Sequence, residues 1–406
     1  MIISNLHKES LEKEIKLVAD IESKTFGKDT IWFCVPKEYG SFLTENYSAI
    51  LVALLYPAMC AGEDICIKGN VSEKLLFNIQ NYLMSFIKTY TKKTKDIKIV
   101  VDGTITSVDN KQNHIGTGYS GGVDSLSTIY DRFVLEQREN YKLDTLLFLN
   151  TGSHGHYEDK NTEDKFYARY NYLKQTAPLP FIPINTNIHK FHKGPHELTV
   201  TFTNVAGILS LEQYFSKYYI SSSMSYNSFI LYAKKGLNYC TERYEAFLLP
   251  LLSTETLQFI SDGYQYTRSQ KIERIINYEL TTKTLNVCVN PEEHTAKNCS
   301  RCHKCLRTLM AIDSLDKLNE FKNVFNVDLY KKYAFRYKVK QVLLYNRNAF
   351  AKDNVDFAKS KGKKIPSYFV CLLLGIYYGF RFILIMILQK LLPKKQFKNL
   401  KKLFGK

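Results

Sequence analysis

Cysteine is scarce in this chain: nine in 406 residues, unevenly spread, which excludes a fold stapled by disulfides. Four of the nine fall between positions 288 and 305, a clustering that points to a reducing compartment and a metal. The N-terminal stretch, MIISNLHKESLEKEIK, alternates charge and lacks the apolar core of a secretion signal. Acidic side chains all but vanish from residue 331 onward, where only Asp353 and Asp356 stand against 19 Lys and Arg. Residues 1–330 hold 37 of each sign, so the formal net charge of +17 belongs to the tail and the body reads as neutral. Residues 1–110 show no catalytic constellation.

At 406 residues and 45% hydrophobic content the chain exceeds one ordinary domain. Residues 1–110 read as a small α/β unit, with strands at Ile31–Val35, Asp64–Lys68 and Ile97–Val101. Helices are expected at Ser48–Met59 and Ser72–Thr89, with Pro57 bending or ending the first. Glu63 and Asp64 read as a turn rather than an acid/base pair. From about residue 111, strands at His114–Gly118, Leu143–Asn150, Pro180–Ile184 and Tyr219–Ser223 alternate with helices at Leu126–Phe133, Glu163–Gln175 and about Asn204–Lys217. Repeated βα units imply a parallel sheet covered on both faces, with a ligand crevice outside the carboxyl ends of its strands. Residues 118–125, 150–156, 185–190 and 221–227 should therefore meet around one crevice. Ile260–Gly263 reads as the end of a helix and Tyr264–Lys271 as the start of the next.

The stretch that organises the rest is Ser120-Gly121-Gly122-Val123-Asp124-Ser125, between the strand 114–118 and the helix that follows. Glycines let backbone approach an oxyanion closely, and the unpaired N–H groups of a first helical turn point at it. Ser120 and Ser125 add hydroxyls at the rims. Asp124 would be repelled by a phosphate unless a Mg²⁺ ion bridges them or the side chain caps the helix. No lysine follows the second glycine, which excludes the G-x-x-x-x-G-K-[ST] loop. A plain Gly-Ser turn with a helix cap is the alternative.

SGGVDS resembles the SGGxDS signature of the PP-loop, or N-type, ATP pyrophosphatases. That resemblance implies a Rossmann-like, adenine nucleotide alpha hydrolase-like fold. It implies Mg²⁺ and ATP, with the β,γ-diphosphate on Ser120, Gly121, Gly122, Val123, Asp124 and Ser125 and the metal on Asp124. Adenine and ribose would meet the backbone of Leu149, Asn150, Thr151 and Gly152. A substrate oxygen would be adenylylated, and a nitrogen or sulfur nucleophile would then displace AMP. His154 and His156 share the 150–156 loop and are equally well read as phosphate contacts or as solvated side chains. Lys190, with His189, His192 and Lys193, could form a basic lip over the triphosphate. Arg268 and Lys271, near a helix start, oppose the helix dipole and need an anion, either a phosphate or an acid such as Glu273. Cys240 reads as core.

Cys288, Cys299, Cys302 and Cys305 give C-x10-C-x2-C-x2-C, a spacing that directs four thiolates at one tetrahedral zinc. Four thiolates leave no open position for water, so the metal is expected to be structural and to pin residues 285–310 against the sheet. His294 and His303 are substitute ligands, and an iron–sulfur cluster is the minority reading. The loop paired with a downstream cysteine knuckle is similar to the 7-cyano-7-deazaguanine synthases of the queuosine pathway, over residues 112–315. Those enzymes use ATP and ammonia on a carboxylate and carry a four-cysteine zinc site.

The division expected is an N-terminal α/β unit (1–110), a PP-loop domain (111–315), a basic helical segment (316–365) and a membrane-seeking tail (366–406). Residues 368–388 form an apolar run broken only by Arg381, long enough to span a bilayer but flanked on both sides by lysines. An in-plane segment that leaves both flanks on the anionic cytoplasmic leaflet is expected over a span. A buried helical hairpin with Gly375 and Gly379 as packing points, or an RNA clamp, are the alternatives. The functional expectation is a C–N ligase-type, AMP-forming enzyme acting on a small molecule with a carboxylate or carbonyl. Catalytic roles fall to Asp124, Ser125, Lys190, Arg268 and Lys271. It is placed in the cytoplasm at the inner face of the cell membrane, as a homo-oligomer, with nucleic acid disfavoured. A tRNA-thiolating enzyme and a non-catalytic nucleotide-binding scaffold are the rivals. No glutaminase signature is visible, so ammonia would come from solution or a partner.

Overall fold

The computed structural model describes residues 1–91, 93–153, 161–233, 240–288 and 298–378. His154, His156, His294, Gly379 and Arg381 lie outside the described residues, as do residues 379–406 as a whole. The strands are β1 (Ile2–Ser10), β2 (Glu14–Ser23), β3 (Gly27–Pro36), β4 (Ile65–Ser72), β5 (Ile99–Ile105), β6 (His114–Gly118), β7 (Thr145–Leu149), β8 (Phe181–Thr186), β9 (Phe215–Ser221) and β10 (Gln258–Asp262). They form one mixed, mostly parallel sheet in the order β10-β9-β6-β7-β8-β3-β2-β1-β4-β5.

The helices are α1 (Ser48–Ala61), α2 (Glu73–Asn78), α3 (Met84–Tyr90), α4 (Val123–Ile129), α5 (Thr162–Lys174), α6 (Val200–Leu209) and α7 (Tyr226–Ala233). They continue with α8 (Glu245–Leu252), α9 (Arg268–Ile275), α10 (Glu279–Thr284), α11 (His303–Ser314), α12 (Val327–Leu344) and α13 (Ala349–Ser360). A π-helical stretch, Ile79–Leu83, joins α2 to α3, and another, Tyr130–Leu135, prolongs α4.

The half built from β6 to β10 is parallel throughout. From β6 the chain winds outward through β7 and β8, then returns to lay β9 and β10 on the other side. This order is compatible with a Rossmann-like sheet, and the reversal between β6 and β9 opens a crevice at their carboxyl ends. Period-two alternation sends neighbouring residues to opposite faces. Leu147, Ile182 and Ile184 join the core that holds α1, α6 and α8, whereas Leu146, Phe148 and Phe181 join the core under α4, α5, α9 and α11.

Residues 1–110 do not close a sheet of their own. β3 pairs antiparallel with β8 through Phe33–Thr186 and Cys34–Asn185. Asn187 then extends the ladder by side chain: Trp32 N–H donates to its Oδ1 at 2.9 Å, and its Nδ2 donates to Thr30 O at 2.8 Å. Glu63, read from sequence as part of a turn, accepts Ser23 Oγ (2.7 Å) and Lys24 N–H (2.9 Å).

Several elements differ from the sequence expectation. β1 and β2 fall in the charged N-terminal stretch, because only alternate residues such as Ile3, Leu17, Ala19 and Ile21 need to be apolar when one face is exposed. Residues 258–262 are a parallel edge strand rather than the end of a helix. α6 runs from Val200 to Leu209, and β9 begins at Phe215, so the helix expected at about Asn204–Lys217 starts earlier and stops eight residues sooner. Pro57 does not end α1, which runs on to Ala61 with Ser48–Met59 wholly buried. Proline cannot donate to the Ala53 carbonyl four residues back, and His192 Nε2 does so instead at 2.8 Å.

Candidate functional site

The loop after β6 is held from three sides. Tyr119 N–H donates to Leu147 O at 2.8 Å, which prolongs the sheet to the loop's first residue. Arg169, from α5, donates to Ser120 O at 3.1 Å, and Asn286 N–H donates to Gly121 O at 2.8 Å. Gly121 has φ +73°, and a Cβ there would lie 2.9 Å from Arg169 Nη2 and 3.0 Å from Thr284 O, so both conformation and space call for glycine. Gly122 caps α4 in extended conformation, and its N–H reaches Ser120 Oγ at 3.3 Å. Ser125 Oγ donates to Gly122 O (3.1 Å) and lies 3.2 Å from Ser120 Oγ. Among the described residues, no protein acceptor takes the N–H groups of Val123, Asp124 and Ser125. Of these three residues, Asp124 and Ser125 line the open space beyond the strand ends, and Val123 is buried.

Asp124 neither caps α4 nor stands alone. Arg268 donates to its Oδ2 and Lys271 to its Oδ1, the latter at 3.2 Å. Burial alone would raise the Asp124 carboxyl, but the charges of Arg268 and Lys271 outweigh it and hold it below the ordinary carboxylate value. The anion that α9 needs at its first turn is therefore Asp124, while Glu273 pairs with Lys361. Lys271 is 2% exposed and also donates to Ser222 O. Both Asp124 oxygens are thus already engaged by cations, and a Mg²⁺ ion there would have to share them with Arg268 and Lys271.

Two cavities meet at the loop. The smaller, about 470 Å³, lies outside the ends of β6, β7 and β9 and is lined by Tyr119, Ser125, Leu149, Asn204, Ile220 and Glu245, among others. Of the residues expected to meet adenine and ribose, Leu149 lines it. Asn150 and Thr151 are buried and bonded to Asn185 (2.8 Å) and Asn204 (2.6 Å). Gly152, with φ +112°, packs toward His189 and His196. Among the described residues Glu245 Oε2 is buried without a partner, and burial, with Glu242 adding to it, pushes that carboxyl well above its usual value.

The larger cavity, about 730 Å³, runs from the loop to α11 and α12. Arg243, Arg268, Lys304, Arg307 and Lys340 line it against two carboxylates, Asp124 and Glu242. Cys240, read from sequence as core, is half-buried on this wall, and burial pushes its thiol up to about 11. Ser120, Asp124, Ser223, Glu242, Asn286, Cys288 and Lys304 border both cavities. The expected basic lip does not form over the loop. Lys190 pairs with Asp29 at 2.6 Å, His192 serves α1, and Lys193 lies over the Phe26 ring.

The four cysteines converge with every Sγ within 4.8 Å of the others. Four sulfurs at zinc–thiolate distance from one ion stand about 3.8 Å apart; here Cys299–Cys305 is 3.9 Å and Cys302–Cys305 is 3.4 Å. The Cys302 hydrogen bond, burial and the neighbouring sulfurs all raise the Cys305 thiol, a direction that a central cation reverses. Cys302 N–H donates to Cys299 Sγ and Cys305 N–H to Cys302 Sγ, so the sulfurs also cap α11. The residues fit a metal such as zinc. Asn298 sutures the base of the cluster, with Val287 N–H on its Oδ1 and its Nδ2 on Leu285 O, both at 2.8 Å. Asn286, two residues before Cys288, holds Gly121, so the cluster and the loop share one short segment.

No family model, curated protein or solved structure matches the chain. Sequence reasoning missed Arg169, Arg243, Glu245, Lys304, Arg307 and Lys340. The only local signal was Lys304 and Arg307 three apart directly beside the cysteines; the others come from elements distant in sequence.

Proposed function

We propose that the chain is an AMP-forming, ATP-dependent enzyme of the PP-loop pyrophosphatase type, on an adenine nucleotide alpha hydrolase-like fold, resembling the queuosine-pathway nitrile synthases. The observation that carries this reading is the strand–loop–helix at 114–129. Its unclaimed amides open a helix start whose Gly122, Asp124 and Ser125 line two adjoining cavities, beside Arg268 and Lys271. In this reading adenosine occupies the smaller cavity and the β,γ-diphosphate rests on residues 120–125. An acceptor carboxylate or carbonyl oxygen attacks the α-phosphorus, the bond from that phosphorus to the bridging oxygen breaks, and pyrophosphate leaves. A nitrogen nucleophile then attacks the activated carbon, loses a proton to solvent and expels AMP. The protein's contribution is placement and charge stabilisation. Asp124 keeps Arg268 and Lys271 poised until phosphate replaces it, and would hold a Mg²⁺ ion that neutralises the leaving diphosphate.

Calorimetric titration with Mg²⁺·ATP tests the reading. Gly121→Ala forces a Cβ into the Arg169 contact at a positive φ and should weaken binding about tenfold or more. Pyrophosphate release across a panel of carboxylates should vanish in Asp124→Ala. Equal binding by wild type and Gly121→Ala would discard the loop as the anchor. Binding without pyrophosphate release would favour the scaffold instead.

A second proposal concerns attachment. Residues 368–378 are helical, and Cys371 and Leu374 pack on Val339 and Val342. Tyr368, Phe369, Val370, Leu372, Leu373, Ile376 and Tyr377 are exposed. Among the described residues no helix is long and apolar enough to cross a membrane. The exposed apolar face, continued by the lysine-rich end, supports lying on an anionic bilayer.

A further inference from the structure

The larger cavity carries more positive charge than a nucleotide on the loop would use. Arg268 is matched by Asp124. Among the described residues, Arg243, Lys304, Arg307 and Lys340 have no carboxylate within ion-pair distance, and Glu242 instead accepts Ser223 Oγ at 2.9 Å. Two of these cations lie over aromatic rings. Arg243 lies over the Tyr232 ring at 4.3 Å and Arg307 over the Phe350 ring at 4.0 Å. Among the described residues, Arg243 Nη1 and Arg307 Nε are buried without a hydrogen-bond partner. Crowding like charges around buried, unsatisfied donors is unfavourable unless an anion enters. The volume, about 730 Å³, suits a whole small molecule rather than a diphosphate alone.

We propose that this cavity is the acceptor site and that the acceptor carries a phosphate group of its own, separate from the oxygen that is adenylylated. Arg243, Lys304, Arg307 and Lys340 bind that phosphate at the α11–α12 end, while the reacting oxygen points toward Ser120 and Asp124. A planar guanidinium fork matches phosphate oxygens, and four cations exceed what a single carboxylate needs. The inference rests on the nucleotide reading only in naming the molecule an acceptor; the anion site itself does not depend on it.

The test is titration of the full chain, first saturated with a non-hydrolysable Mg²⁺·ATP analogue, with inorganic phosphate, followed by calorimetry and phosphorus NMR line broadening. Phosphate should bind the loaded protein. Lys340→Glu, at an exposed position, and Arg307→Gln should each weaken it about tenfold, the worth of one charge-assisted hydrogen bond, with analogue affinity unchanged. No phosphate binding once the analogue is in place, or equal binding by both variants and wild type, overturns the proposal. Tighter binding of malonate than of phosphate overturns the assignment to phosphate in favour of a dicarboxylate. If the analogue does not bind but phosphate does, with the same sensitivity to Lys340→Glu, the nucleotide reading fails and the anion site stands.

Discussion

His192 shows how a single side chain keeps an improbable helix intact. Pro57 leaves the Ala53 carbonyl without its helical donor inside an apolar core, and the imidazole supplies the missing N–H. Burial lowers the His192 pKa to about 4 from the ordinary 6.5, and the nearby His196 is lowered by the same cause. The sign follows from proton uptake: below pH 6.5 the unfolded chain takes a proton that the folded one refuses. Stability present above pH 6.5 is therefore lost as pH falls toward 4, by on the order of 2–3 kcal/mol. Urea midpoints should drop steeply over that window in wild type. They should drop less in His192→Gln, which keeps a donor but cannot titrate; parallel curves would deny His192 this part.

Among elements, α11 matters most, because it begins on the cysteine cluster and carries Lys304 and Arg307 into the larger cavity. Cys302→Ser should drop bound zinc from about one per chain toward zero and lower the melting temperature. Because Asn286 ties the cluster to Gly121, on the proposed nucleotide reading it should also weaken the binding of Mg²⁺·ATP. Metal analysis giving equal zinc in variant and wild type would remove the site. The cysteine spacing and the 114–129 strand–loop–helix were readable because each is local, written in contiguous residues or short gaps. β10 was not, since Gln258–Asp262 is too short for its period to stand out and ends in turn-like Asp262-Gly263. β1 and β2 were hidden by solvent-facing charges between the buried positions. The partners of Asp124 were undetermined because they sit 144 and 147 residues away.

At the scale of the whole molecule, the chain is less modular than its composition suggests. The basic segment 316–365 supplies Lys340 to the larger cavity, and Asp353 of α13 accepts Ser269 N–H and Oγ at the start of α9. Gly375 lies so close to α12 that a Cβ would meet Leu343 Cδ1 at 2.8 Å, so the first part of the tail packs on the body. A deletion that tests attachment should therefore remove only residues 379–406 and spare this contact. The full chain should co-sediment with vesicles containing anionic lipid, less so at high salt, and the shortened chain should stay in the supernatant. Equal sedimentation of the two would place any membrane contact elsewhere.

The join between β3 and β8 has a consequence of its own. Two backbone pairs, the Asn187 carboxamide and the Thr186 hydroxyl, which donates to Trp32 O at 2.6 Å, hold together what would otherwise be two separate sheets. A carboxylate at position 187 would present oxygen to the Thr30 carbonyl, lone pair against lone pair. The seam between the two leaves is thus only a few hydrogen bonds wide at that point, and it is backed by Lys190 on Asp29, Tyr167 on Glu14 and one apolar core common to both leaves.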